Sequence, residues 1–194
     1  MFVSRAGLKL AHALDALRLD VTGLMCADFG CNVGGFTDCL LQRGAREVIA
    51  IDTGYGTLAW KLRSDPRVET RERTNALHAE PPVEGVDLVT IDLAWTPQRH
   101  AVPAALRWLR TDGRILTLVK PHYELLGDER NWLSDGVLPH ECAPRVLERV
   151  LAEMPALGAR ALAWTTSPLE GGKSKRRSGA GNLEYLALLE PTDS

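Results

Sequence analysis

The stretch Ala27-Asp28-Phe29-Gly30-Cys31-Asn32-Val33-Gly34-Gly35-Phe36-Thr37 follows a short apolar run and precedes an amphipathic one. Read as strand, glycine loop and helix, it gathers backbone N–H groups and a helix N-terminus at one point. The missing side chains let a nucleotide-like group press against bare backbone. An α/β cofactor-binding fold is the first expectation. A dinucleotide turn needs Gly-x-Gly-x-x-Gly, but here three non-glycine residues separate Gly30 from the Gly34-Gly35 pair. The usual pyrophosphate turn is therefore absent and hydride chemistry is disfavoured.

The next apolar run, Glu47-Val48-Ile49-Ala50-Ile51-Asp52, ends in an acid 18 positions beyond Gly34. A carboxylate there can accept both hydroxyls of a ribose. An adenosyl group without a diphosphate fits this pattern. S-adenosylmethionine is the candidate, with Asp28 and Gly30 beside its amino acid portion and Asp52 on its ribose. The plainer alternative is that the glycines only allow close strand–helix packing and that Asp52 ends a strand.

A chain of 194 residues suits one domain with a substantial core and is short for two. We expect a single unit over 1–194, with an N-terminal helix in 1–20 and the core in 21–194. A net charge of -2 exerts no whole-surface pull on polyanions, so nucleic-acid contact would need local basic patches. No apolar run reaches the roughly 18–20 residues of a membrane span, and Met1-Phe2-Val3-Ser4-Arg5 lacks the apolar region of a signal peptide. A cytoplasmic protein is expected. Cys26, Cys31, Cys39 and Cys142 show no Cys-x-x-Cys pairing, and the five histidines show no metal-ligand spacing. Buried thiols and no metal are the expectation.

Ser4 is placed to cap a first helix carrying Leu10, Leu14 and Leu17. Five continuous apolar runs follow, at 24–29, 48–51, 68–70, 86–91 and 115–119. Unbroken hydrophobicity suits strands buried on both faces of a parallel sheet. Helical patterns at 36–41, 58–62 and 102–109 lie between them, with turns at 83–85 and 111–113. A helix over about 141–154, a strand at 159–164 and a last strand at 183–189 finish the chain. The class is α/β, a mostly parallel, doubly wound, Rossmann-like sheet with an antiparallel last strand.

Strand ends in such a sheet point into the cofactor cleft, so charged residues that close apolar strands are candidates for chemistry. Asp92 ends one strand, and Lys120, followed at once by Pro121, ends another. Lys9 on the first helix and Glu184 at the start of the last strand join them.

The chain resembles the FtsJ-like methyltransferases and, within them, the TlyA-type rRNA 2′-O-methyltransferases, whose members are often labelled haemolysins. The resemblance rests on residues 4–10, 34–41, 52–63, 72–75, 87–92 and 119–121. It implies a class I S-adenosylmethionine-dependent fold and a Lys-Asp-Lys-Glu tetrad, here Lys9, Asp92, Lys120 and Glu184. It also implies a methionine end lined by Gly30, Gly34, Gly35, Phe36 and Thr37, with Asn75 and Ala76 near the adenine and Asp92 beside the cofactor. A ribose 2′-hydroxyl is a poor nucleophile and needs a positioned base. Lys120 is the expected one, since desolvation beside a second ammonium favours a neutral amine.

Arg5, Lys61, Arg63, Arg71, Arg73 and the run with Lys173, Lys175, Arg176 and Arg177 are expected to meet RNA phosphates. Trp95 is expected to stack on a splayed base, and His122 to line the cleft. The other tryptophans are expected to be mostly core or groove filler. TlyA-type proteins carry an amino-terminal S4-like RNA-binding domain, whereas this chain starts at the methyltransferase helix as a reduced member or a fragment. Cys31-Asn32-Val33 and Leu93-Ala94-Trp95 also depart from the family pattern. Alternatives are an assembly factor that keeps the cofactor pocket and a methyltransferase with a non-rRNA acceptor.

Overall fold

A computed structural model describes residues 1–172 and 181–192. Its seven strands are β1 (Met25–Phe29), β2 (Glu47–Ile51), β3 (Val68–Arg71), β4 (Val86–Ile91), β5 (Leu109–Val119), β6 (Ala159–Thr166) and β7 (Tyr185–Pro191). The α-helices are α1 (Ala6–Ala16), α2 (Gly35–Gln42), α3 (Trp60–Arg63), α4 (Gln98–Leu106) and α5 (Ala143–Glu153). The strands form one sheet in the order β3-β2-β1-β4-β5-β7-β6. The β1–β2, β1–β4, β2–β3 and β4–β5 pairs are parallel, and β7 runs antiparallel to both β5 and β6.

Alternation along each strand divides the core between the two faces. Ile49 and Ile51 of β2 join Phe29, Val89, Ile115 and the α5 residues Val146 and Val150 on one face. Val48 and Ala50 join Leu10, Leu14, Phe36, Leu40 and Leu116 on the other. Trp108 is fully buried with its ring edge-on to Phe29 at 5.3 Å. Each such side chain contributes about 1.5–3 kcal/mol by leaving water.

The structure corrects several boundaries. The residue preceding α1 is Arg5, and no side chain caps that helix, Ser4 included. The turn expected at 111–113 lies within β5, which starts at Leu109 and takes up the end of the helix expected at 102–109. A register shift between Val86 and Leu88 absorbs this irregularity. Trp60 and Trp164 are exposed, against the expectation that most tryptophans other than Trp95 are core or groove filler, whereas Trp95 is exposed as a stacking residue requires. The basic residues Lys173, Lys175, Arg176 and Arg177 lie outside the described residues.

Candidate active site

Sheet order reverses between β1 and β4, and a cavity of about 570 Å³ opens there beyond the carboxyl ends of the strands. Gly30 makes it possible. It has φ +86°, and a Cβ on it would meet the Asp92 carbonyl oxygen at 2.6 Å. Glycine thus lets the loop after β1 touch the end of β4. Gly35 opens α2, where a Cβ would sit 2.8 Å from Ala6 Cβ and 2.9 Å from Gly7 N. The start of α1 consequently lies against the glycine loop, and Ser4 and Ala6 join Gly30, Gly35 and Phe36 on the cavity wall.

Asp28 and Thr37 are fully buried beneath that wall rather than on it. Asp28 Oδ2 accepts from Thr37 N at 2.9 Å and Thr37 Oγ1 at 2.6 Å, and Oδ1 accepts from Thr90 Oγ1 at 3.1 Å. Burial raises its carboxyl to about 6, against the lowering effect of those donors. The residue locks β1, β4 and α2 together under the loop. Gly34, at φ +101° before α2, also stands off the wall.

Asp52 lines the cavity at the end of β2. Its Oδ2 accepts from Asn32 N at 2.9 Å and its Oδ1 from Gly54 N at 2.7 Å. Each oxygen retains acceptor capacity, so the carboxylate is held in place with room for two hydroxyl donors. Asn75 and Ala76 line the same cavity, with Asn75 Oδ1 accepting from Leu77 N at 3.0 Å. A concave space of this size, carrying an oriented strand-end carboxylate and glycine-bared backbone, fits an adenosyl cofactor.

At the far wall Lys120 Nζ donates to Asp92 Oδ1 at 2.6 Å and to the Leu93 carbonyl at 3.0 Å. The Lys9 ammonium pairs with Glu184. The antiparallel ladder between β5 and β7 closes on the Val119–Tyr185 pair, which places Lys120 and Glu184 side by side as the chain leaves the sheet. His122 senses both lysines. Burial first, then the charges of Lys120 and Lys9, lower its imidazole to about 4, and its Nδ1 is buried without a partner. His122 is not on the cavity wall, and neither are Lys9 and Glu184.

The basic residues expected to meet phosphates are mostly engaged within the chain. Lys61 donates to Asp38 at 3.0 Å, Arg63 pairs with Glu72, and Arg71 bonds Glu69 and the Glu80 carbonyl. Arg5 is exposed, and the Arg73 guanidinium lies 4.2 Å from the Tyr55 ring centre. Trp95 is 74% exposed at φ +58°, with Nε1 donating to Tyr123 Oη at 2.9 Å.

A model of the FtsJ-like methyltransferase family matches residues 2–178. The chain belongs to that family. This FtsJ-like chain is 38% identical over 192 residues to the 16S/23S rRNA (cytidine-2′-O)-methyltransferase TlyA of Mycobacterium tuberculosis strain H37Rv, covering 97% of itself and 68% of that protein. It is 32% identical over 190 residues to the 23S rRNA (cytidine-2′-O)-methyltransferase TlyA of Campylobacter jejuni, covering 96% and 70%. A solved structure from Streptococcus thermophilus, proposed to be a hemolysin, superposes with a TM-score of 0.89 at 38% identity over 100% of this chain and 68% of its own. The FtsJ-like chain is thus an S-adenosylmethionine-dependent methyltransferase spanning about two thirds of the TlyA and streptococcal proteins.

Sequence reasoning missed Ser4, Thr53, Thr74 and Thr96 on the cavity wall. Only the Gly35 contact, which pulls the start of α1 inward, accounts for Ser4. Among the described residues no group of three or more His, Cys, Asp or Glu could hold a metal ion. No helix there is long and apolar enough to cross a membrane.

Proposed function

We propose that this chain methylates the 2′-hydroxyl of a ribose in ribosomal RNA, with Lys120 as general base and Lys9, Asp92 and Glu184 as its electrostatic frame. The observation that carries this reading is the two-point anchoring of Lys120 at the cavity wall. A neutral amine has two N–H donors and one lone pair. With the donors directed at Asp92 Oδ1 and the Leu93 carbonyl, the lone pair is fixed in direction. It can then take the proton of a hydroxyl presented from the cavity side.

When bound, S-adenosylmethionine supplies an electrophilic methyl group on a sulfonium. The glycine loop and Phe36 would hold its methionine end, Asp52 would accept from its ribose hydroxyls, and Asn75 and Ala76 would border its adenine. The chain's own contribution is positioning and proton removal. The Lys9–Glu184 pair ties α1 to the start of β7 beside the Lys120 segment, and Asp92 orients the Lys120 amine. Trp95, anchored by Tyr123, offers an exposed indole on which the acceptor base stacks, while Arg5 and Arg73 meet flanking phosphates. The relatives' printed activities support ribosomal RNA as the acceptor.

Incubation with methyl-labelled cofactor and ribosomal subunits tests the assignment. The label should appear on ribose, leaving an alkali-resistant linkage, and Lys120→Ala should lose it. Label on a base contradicts the proposed chemistry.

A further inference from the structure

The two loops that carry Asp92 and Lys120 are cross-linked by successive side-chain rungs. Lys120 bonds Asp92 and the Leu93 carbonyl. Tyr123 Oη accepts from Trp95 Nε1 at 2.9 Å. The third rung is Glu124, whose Oε1 accepts from Gln98 N at 2.9 Å. That amide opens α4, and the residue before it is Pro97, which has no polar side chain with which to cap the helix. The cap arrives from 26 positions further along the chain. A Ser or Asp at position 97 would reach the amides of the second and third helical residues, whereas the Gln98 amide is met from across the loop. Glu124 is 5% exposed.

The backbone transmits this contact to the lysine. Pro121 fixes one dihedral, Tyr123 N bonds the Lys120 carbonyl at 2.8 Å, and Glu124 N bonds the Pro121 carbonyl at 3.0 Å. The segment 120–124 is a closed 3-10 turn whose far end is pinned again by Arg149, which donates to the Glu124 carbonyl at 2.7 Å. The helix held by Glu124 begins six positions after Asp92, at the end of the same short loop. Both partners of the Lys120–Asp92 pair therefore stand on segments that Glu124 joins at their roots.

We infer that Glu124 is a positioning residue: its buried carboxylate ties the loop after β5 to the first turn of α4 and so sets the distance and direction of the Lys120–Asp92 pair. This rests on the proposed role of Lys120. Glu124 does not line the cofactor cavity, and it acts through the turn.

The test compares Glu124→Ala and Glu124→Gln in native and Lys120→Ala backgrounds. It reads the Lys120 Cε resonance in lysine-labelled protein, cofactor affinity by calorimetry, and kcat and KM on ribosomal RNA. Glu124→Ala should move the Lys120 resonance and lower kcat about ten- to hundredfold, the scale of a misplacement of about 1 Å. KM for the cofactor should stay within about twofold. Glu124→Gln presents the same acceptor oxygen to Gln98 and should restore both readouts even if the alanine variant folds poorly. Added to Lys120→Ala, Glu124→Ala should lower kcat no further, because residues acting as a unit are non-additive. A Lys120 resonance unmoved in a folded Glu124→Ala variant overturns the inference, as does a full additive loss on top of Lys120→Ala. A moved resonance with native turnover in both single variants supports the positioning and contradicts the role of Lys120 instead.

Discussion

Lys9 on α1 gives its ammonium to Glu184, 175 positions further along the chain and one residue before β7. The first helix is thereby tied to the last strand at the edge of the cofactor cavity, so both ends of the chain meet where β4 and β5 deliver Asp92 and Lys120. Side-chain exposures of 14% for Lys9 and 4% for Glu184 make the pair a partly buried one, where the loss of one partner strands the other charge.

Structural and functional roles of this pair separate in a double substitution. Glu184→Ala should destabilise the chain by about 3 kcal/mol by leaving Lys9 uncompensated, whereas Lys9→Met with Glu184→Leu should recover most of that loss. Methyl transfer should fail in both. Thermal melts beside a transfer assay give the comparison, and an active Met/Leu variant would remove the pair from the mechanism.

Asp52 is held by two backbone donors and offers its remaining lone pairs to the cavity. Asp52→Ala should weaken cofactor binding about ten- to a hundredfold, the scale of one or two charge-assisted hydrogen bonds. Calorimetry with S-adenosylhomocysteine reads this directly. Unchanged affinity would return Asp52 to being a strand-end residue alone.

Gly30→Ala combines a positive φ with a Cβ pressed to 2.6 Å from the Asp92 carbonyl oxygen. It should lower stability by about 2–4 kcal/mol and push the end of β4 away from the loop. Chemical denaturation measures the loss. A neutral substitution would mean that the loop and the strand end move apart freely.

The sheet was legible because each buried strand is a continuous apolar run, and Asp52, Asp92 and Lys120 were legible because each closes one. Less visible was the start of β5. Thr111-Asp112-Gly113 has turn composition and lies inside the span of β5 as an unpaired bulge, where the register jumps from Val86–Leu109 to Leu88–Arg114 and Asp112 takes φ +65°. The ion pairs of Lys61, Arg63 and Arg71 were equally hidden. Charge composition announces basic residues but not the acids the fold sets beside them, and those acids compete with phosphates for the same side chains. Glu124 lies three residues past a proline and carries no pattern of its own. Its role arises from which helix happens to begin across the loop.

Burial holds the Glu124 carboxyl at about 7 against its ordinary 4.5, offset in part by the Gln98 amide, Arg99 and Arg149 and reinforced by Glu153. Between those values the folded chain binds more proton than the unfolded one. Its contribution to stability therefore declines as pH rises from about 4.5 to about 7 and is level above. Glu124→Gln cannot ionise, so its melting temperature relative to the native chain should climb across that window by the equivalent of about 2–3 kcal/mol. Parallel melting curves from pH 5 to 8 would contradict the burial of that carboxyl.

The central claim is tested most directly by nucleoside analysis of ribosomal RNA methylated in vitro by the native chain and by Lys120→Ala, with cofactor affinity measured on both. The predicted result is 2′-O-methylated ribose from the native chain, a loss of about 10²–10⁴-fold in rate on Lys120→Ala, and the same cofactor affinity in each. Methylated base, or a Lys120→Ala rate equal to the native one, would contradict it.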